Sequence, residues 1–351
     1  MLLQKYYKQR QSIFLSVIIF FLIIALLWIC DNTNKEYSKM TFREKVEAGY
    51  TPRILIVGDS IGGNLTENEW CMKLKQQLDD ANISVEMDNV SLGGNTVFAG
   101  YSQLARYDKH VDLLIFCFGQ NDADNEDFPL MYENMIRLAK EKYPYAEEIA
   151  ILESSQREYT NKIQTIISLC DYYSIPYADM ILTYSSSGKS YEDLTLSDGI
   201  HPNNAGKQLY ANTLFSLIKE EILQHAKKRF SFLSLFNSNS YPEPLNTNTR
   251  KASHYKYIPK EDMISNGLTL STSINDEYMY VGAEAMFVKG EHEIIGKLSD
   301  GTKFYLTYIW EFESQHHIYK GYNERSISGE ITLTFDSQET MDKFYGIILC
   351  N

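Results

Sequence analysis

A serine hydroxyl is a weak nucleophile until a base takes its proton. The chain carries a serine in RILIVGDSIGGN, Ser60, and a histidine and an aspartate in SDGIHPN, His201 and Asp198. His201 can serve as that base. Asp198, three residues earlier on the same loop, can bond the other ring nitrogen and fix the tautomer. Attack on a carbonyl also makes an oxyanion, which needs donors already in place. The backbone N–H of Ser60, the backbone N–H of Gly94 in LGGNT and the side-chain amide of Asn121 in GQND can supply three. Asp59 and Asp122 stand inside the same blocks and are expected to support them by hydrogen bonds rather than to move protons. A phosphate cradle around Ser60 is excluded, because no G-x-x-x-x-G-K-[ST] occurs.

Such a set works only if separate segments reach one edge of a scaffold. RILIV (53–57) is an apolar run stopped by glycine and reads as a buried strand. SVEMDNVSL (84–92), VDLLIFCFG (111–119), EIAILES (148–154) and IPYADM (175–180) read as four more. Between and after them lie helical patterns: NEWCMKLKQQLDD with Trp70, Leu74 and Leu78 on one face, TVFAGYSQLARY, MYENMIRLAKEKY, NKIQTIISLCDYY and AGKQLYANTLFSLIKEEILQ. This alternation predicts a parallel sheet with helices on both faces. Ligands of such sheets lie beyond the carboxyl ends of the strands, where GDS, LGGNT and GQND fall.

These blocks resemble those of the SGNH hydrolases, the GDSL esterase/lipase family. Ser60 stands in GDS, Gly94 in NVSLGGNT, Asn121 in GQND, and Asp198 with His201 in DGIHP, all in the family's order. Ile61 departs from the leucine that often follows GDS. The resemblance spans residues 52–224 and implies a flavodoxin-like three-layer α/β/α fold and acyl transfer through a serine ester, with no cofactor and no metal. Family members either hydrolyse esters or pass the acyl group to another alcohol, including acetyl groups on extracellular polysaccharide.

The flanks set the surroundings. Ile13 to Cys30 is an uncharged apolar run preceded by Lys5, Lys8 and Arg10 and followed by Asp31. It is expected to be a transmembrane helix, with residues 1–12 in the cytoplasm and the rest outside. A polar stalk (31–50), the hydrolase domain (51–224) and a linker rich in Asn, Ser, Thr and Pro (225–258) follow. Residues 259–351 alternate in GLTLSTSI, EYMYVGAEAMFVKG, EHEIIGKLSDG, TKFYLTYIWEFES and ISGEITLTFDS, with Gly and Asp-Gly turns, and predict a small all-β domain.

Tyr278, Tyr280, Tyr305, Tyr308 and Trp310 there can form a sugar-stacking face or a packed core. HAKKRFSFLSLF (225–236) can lie on a membrane interface or pack between the domains. Asp122, Asp124, Glu126 and Glu133 have a calcium-loop spacing, but Asp127 stands where the loop needs glycine. His316 and His317 have no second ligand pair. The five cysteines, Cys30, Cys71, Cys117, Cys170 and Cys350, are odd in number, lack a CxxC and read as buried small hydrophobes. The net charge of −13 argues against nucleic acid as a partner. The first reading is a membrane-anchored cell-surface esterase that removes acetyl groups from carbohydrate, its partners being the acylated glycan and the membrane. The alternatives are an O-acetyltransferase using the same residues and a non-catalytic glycan-binding protein.

Overall fold

The computed structural model describes residues 37–224, 243–246 and 254–351. The apolar run 13–30, with Cys30, and the segment 225–236 lie outside them. Among the described residues no helix is long and apolar enough to cross a membrane.

The first domain is built on five parallel strands: β1 (Arg53–Gly58), β2 (Glu86–Asn89), β3 (Leu113–Cys117), β4 (Glu147–Leu152) and β5 (Tyr177–Asp179), in the order β2-β1-β3-β4-β5. That is the flavodoxin-like order. Side chains alternate between the two faces. Leu55, Val57, Leu114 and Phe116 join one core, and Ile54, Ile56, Leu113 and Ile115 join the other. Both faces are covered, so the two central strands run apolar from Ile54 to Gly58 and from Leu113 to Cys117.

Helix α1 (Phe42–Glu47) and helix α2 (Trp70–Asp80) pack on the second core, and helix α3 (Val97–Arg106), helix α4 (Asp127–Lys142) and helix α5 (Asn161–Tyr173) pack on the first. Helix α6 (Met180–Ser186) and helix α7 (Asn204–Leu217) complete the second layer.

Some boundaries differ from those read in the sequence. β2 spans only 86–89 of the expected 84–92, although Val90 N–H and Leu92 N–H still donate to Ile56 O and Gly58 O of β1. The expected strand 175–180 stops at Asp179, whose carboxylate caps α6 through Leu182 N–H. Residues 37–50 are not a free stalk. Thr41 and Glu44 form a capping box that starts α1. Phe42 enters the core, and Lys45 Nζ bonds Asp112 Oδ1 at 2.5 Å, both buried, which ties α1 to the start of β3.

The second domain holds two antiparallel sheets. One has the order β15-β12-β11-β16-β8-β7, from Tyr322–Asn323 (β15), Lys303–Tyr305 (β12), Ile294–Leu298 (β11), Ile327–Phe335 (β16), Thr269–Tyr278 (β8) and Ile264–Asn266 (β7). The other has the order β14-β9-β17-β6, from Gln315–Lys320 (β14), Tyr280–Phe287 (β9), Phe344–Cys350 (β17) and Tyr255–Pro259 (β6). A two-stranded ribbon joins Gly290–His292 (β10) to Tyr308–Trp310 (β13). β6 lies within residues expected as linker.

The four-stranded sheet is buried on both faces. Val281, Ala283, Ile347 and Leu349 face the sandwich interior. Tyr280, Ile318, Ile348 and Cys350 instead share a core with α3 and α4 of the first domain. Phe98 of α3 rests on Gly282, where an added Cβ would come within 2.5 Å of its ring. Arg106 Nη1 pairs with Glu284 Oε2 at 2.6 Å, and Asn134 Nδ2 donates to Asn351 O at 3.0 Å. The two domains therefore meet through one continuous apolar core with polar bonds around it.

Candidate active site

The turn after β1 is shaped by its own backbone groups. An added Cβ at Gly58 would meet Cys117 O at 2.9 Å, so only glycine lets β1 pass so close to β3. Asp59 Oδ1 accepts from Ile61 N–H at 2.8 Å and bends the chain at Ser60. Trp70 Nε1 and Asn89 Nδ2 then hold Ile61 O and Gly62 O from behind.

The loop before α7 is pinned as a narrow turn. Leu196 N–H donates to His201 O at 2.8 Å, Gly199 N–H donates to Leu196 O at 2.9 Å, and Asn203 caps α7 through Ala205 N–H and Gly206 N–H. Asp198 Oδ1 accepts from the N–H groups of Ile200 and His201, and Asp198 Oδ2 lies 2.8 Å from His201 Nδ1. Desolvation acts to raise the Asp198 pKa, but these bonds outweigh it and hold the carboxyl down at about 2. An ionised carboxylate can only accept, so the proton sits on His201 Nδ1 and Nε2 is left as an acceptor. His201 Nε2 lies 2.8 Å from Ser60 Oγ. The structure thus brings Ser60, His201 and Asp198 into one hydrogen-bonded chain, with the histidine and aspartate partly open to solvent.

Gly94 stands beside them at φ +70°, a conformation that favours glycine. A Cβ on neighbouring Gly93 would lie 3.7 Å from Ser60 Cβ. Among the described residues, neither Ser60 N–H nor Gly94 N–H donates to another protein group. Asn121 Nδ2 reaches Asn95 O at 3.0 Å and Asp59 Oδ2 at 3.3 Å, so its amide joins the two turns.

Asp59 is buried, and its partner below is Glu153, at the end of β4. Burial first, and then each other's charge, push Asp59 well above the usual carboxylate range. Burial likewise pushes Glu153 up to about 7. Both carboxyls are thereby biased toward their protonated forms. Asp122 accepts from Val97 N–H at 2.9 Å and so fixes the start of α3; burial raises its pKa to about 6. Glu153 was not among the residues expected from sequence.

The acidic residues with calcium-loop spacing do not converge. Asp122 caps α3, Asp124 accepts from Asn161, and Glu133 is turned inward to Tyr173 and to Leu245 and Asn246. Among the described residues no three His, Cys, Asp or Glu side chains are grouped to hold a metal ion. The described cysteines, Cys71, Cys117, Cys170 and Cys350, are buried free thiols.

Of the aromatic residues expected as a stacking face, Tyr278, Tyr280 and Tyr308 are buried in packing. Tyr305 is exposed, and Trp310 is half-buried with its Nε1 on Glu313 O at 2.8 Å. Trp310 belongs instead to an aromatic group with residues not expected, Phe287, Phe312 and His317, the last of them beside Gly94. His317, only 4% exposed, stacks on Phe287 at 4.2 Å and meets Trp310 at 4.5 Å, and Phe312 lies 5.1 Å beyond Trp310 with 66% of its surface open. A cleft of 560 Å³ runs along Lys289, Glu311, Phe312, Glu313, Ser314 and Gln315. Gln315 joins this cleft to the surroundings of Ser60, because its Nε2 donates to Gly93 O.

Residues 56–209 match the GDSL-like lipase/acylhydrolase family. No curated protein matches the chain. Among solved structures, a two-domain esterase (CEX) active on acetylated mannans, co-crystallized with mannopentaose, superposes with a TM-score of 0.66. The two are 14% identical over 87% of this chain and 93% of that one. A second structure of such an esterase gives a TM-score of 0.60 at 16% identity, over 87% of this chain and 92% of the other. These likenesses span both domains. A carbohydrate esterase family 3 protein from Talaromyces cellulolyticus is 20% identical and aligns over 50% of this chain and 100% of its own, with a TM-score of 0.40.

Proposed function

Starting from a carboxylic ester hydrolase whose first domain is of the GDSL/SGNH type, we propose that this chain removes acetyl groups from carbohydrate through an acyl-serine intermediate. The observation that carries the reading is the chain of 2.8 Å contacts from Ser60 Oγ to His201 Nε2 and from His201 Nδ1 to Asp198 Oδ2. Ser60 passes its proton to His201 Nε2 as its Oγ bonds the acetyl carbonyl carbon. The oxyanion takes hydrogen bonds from Ser60 N–H and Gly94 N–H, and from Asn121, which gives up its longer bond to Asp59. His201 then delivers the proton to the departing sugar oxygen. Water, deprotonated by His201, attacks the acyl carbon, and the intermediate collapses to acetate as His201 returns the proton to Ser60 Oγ.

Carbohydrate is favoured as the alcohol side by the cleft beside Gly93. Phe312 and Trp310 offer ring faces for sugar stacking, and Lys289, Glu311, Glu313 and Ser314 offer polar contacts. The esterase of similar two-domain fold is active on acetylated mannans, which agrees with this substrate class. The apolar run 13–30 and the cations before it support a single-pass anchor with both domains outside the cytoplasm.

One experiment tests chemistry and location together. The full chain is expressed, and carbonate-washed membranes and the soluble fraction are assayed with p-nitrophenyl acetate and acetylated mannan-oligosaccharide. Nitrophenol and acetate should be released by the membranes and fall by roughly 10⁴-fold or more in Ser60→Ala. Turnover that survives Ser60→Ala refutes the serine mechanism. Activity only in the soluble fraction refutes the anchor. Acetyl transferred to an added oligosaccharide instead of free acetate refutes hydrolysis in favour of transfer.

A further inference from the structure

The oxyanion loop is short, carries two adjacent glycines, and must hold one N–H in place while charge develops. Two glycines in sequence have more backbone freedom than any other pair, so something outside them has to restrict them. Within the first domain, Leu92 N–H donates to Gly58 O at 3.0 Å and Asn95 N–H donates to Leu92 O at 3.2 Å. Asn121 Nδ2 of the first domain also holds Asn95 O at 3.0 Å, and further restraints cross from β14 of the second domain. Gln315 Nε2 donates to Gly93 O at 2.5 Å. Asn95, buried at 1% exposure, donates through Nδ2 to Gly93 O at 2.8 Å and to His316 O at 3.2 Å. Its Oδ1 accepts from Ile318 N–H at 2.7 Å. His317 walls the outer side of Gly94, its Cε1 only 3.0 Å from where a Cβ would stand.

We propose that β14 of the C-terminal domain holds the Gly93–Gly94 oxyanion loop in its working conformation, with Asn95 and Gln315 as positioning residues. The catalytic centre is then built by both domains. The second domain acts on the chemical step and not only on substrate capture. The argument rests on the serine-esterase reading above for the role of Gly94 N–H. The bonds themselves do not depend on it. Asn95 ties together three main-chain groups from two domains: the carbonyls of Gly93 and His316 and the N–H of Ile318. Gln315 anchors the same Gly93 carbonyl from the cleft side. Losing either lets the peptide before Gly94 rotate, and a donor displaced by about 1 Å costs about 10²-fold in rate.

The test uses the full chain and four variants: Asn95→Ala, Gln315→Ala, Gln315→Met and Ser60→Ala. Kinetics on p-nitrophenyl acetate are read beside hydrogen–deuterium exchange at the amides of residues 92–96. Asn95→Ala, Gln315→Ala and Gln315→Met should each lower kcat by about 10- to 100-fold. KM should stay within about threefold, the pattern of an interaction made only in the transition state. Exchange across 92–96 should quicken in all three. Gln315→Met keeps the side chain's bulk and loses its donor, so full activity in that variant overturns the hydrogen-bond argument. A rise in KM with kcat unchanged also overturns it, because β14 would then serve binding alone. Unchanged exchange at 92–96 overturns it whatever the kinetics. Should Asn95→Ala fail to fold, the two Gln315 variants decide. Should the wild-type chain and Ser60→Ala be equally inactive on every ester, the esterase reading falls while the exchange data still judge the bracing by β14.

Discussion

Glu153 lies wholly out of water beside Asp59, beneath the turn that carries Ser60. In the folded chain it holds its proton up to a pH of about 7, whereas in the unfolded chain it loses it near the ordinary 4.5. Between those values the folded state binds more protons than the unfolded state, so this group lowers stability as pH rises through the window. Glu153→Gln removes that contribution. Its gain in urea midpoint over wild type should be small at pH 4.5 and larger at pH 8. An equal difference at both pH values would exclude the shifted pKa. Ser60, Asp198 and His201 were legible in the sequence because each sits in a short block whose neighbours have defined turn chemistry. Glu153 was not, since a glutamate after an apolar strand ordinarily points to solvent. Asn95 stood inside a quoted block, but its partners on β14 are more than two hundred residues away and no local pattern connects them.

The α/β elements were legible because both faces of their sheet are covered, which leaves apolar runs bounded by glycine and polar turns. β14 was legible only as a surface strand or loop around His316 and His317. QHHIYK is polar for a strand, and its pairing comes from β9 and the first domain rather than from its own pattern. α1 was missed for a similar reason: its polar composition hides one buried phenylalanine and one buried ion pair. The contact between α3 and β9 carries its own test. A Cβ at Gly282 would lie 2.4 Å from Tyr319 O on β14 and 2.5 Å from the Phe98 ring, one of them backbone that cannot swing aside. Gly282→Ala should therefore cost about 1–3 kcal/mol and lower Tm by several degrees in a thermal melt. A Tm equal to wild type would mean that this interface has slack which the distances do not show.

At the scale of the whole molecule, the boundary expected near residue 258 divides the chain, yet one apolar core crosses it while the sandwich keeps a second of its own. Tyr280, Ile318, Ile348 and Cys350 belong to the same buried cluster as Phe98, Tyr132 and Met135. Separating the domains would expose both the α3 face and the outer face of the four-stranded sheet. Unfolding should accordingly be a single cooperative step. With Trp28→Phe in every variant, since the chain has three tryptophans, Trp70 reports on the first domain and Trp310 on the second. Urea midpoints followed by fluorescence in Trp310→Phe and in Trp70→Phe should each coincide with the far-UV circular dichroism of the same variant. Two resolved transitions would show that the domains are thermodynamically separate.

The strand order β14-β9-β17-β6 puts β17 in the interior of its sheet. A ribosome makes β6 first of these four and β17 last. Until β17 emerges, β6 has no neighbour in its sheet, and Ile348 and Cys350 are missing from the cover over α3. The nascent chain thus carries Ser60 and His201 long before it has β17, which joins β9 to β6 in the sheet behind β14, so maturation of the site waits on the emergence of β17.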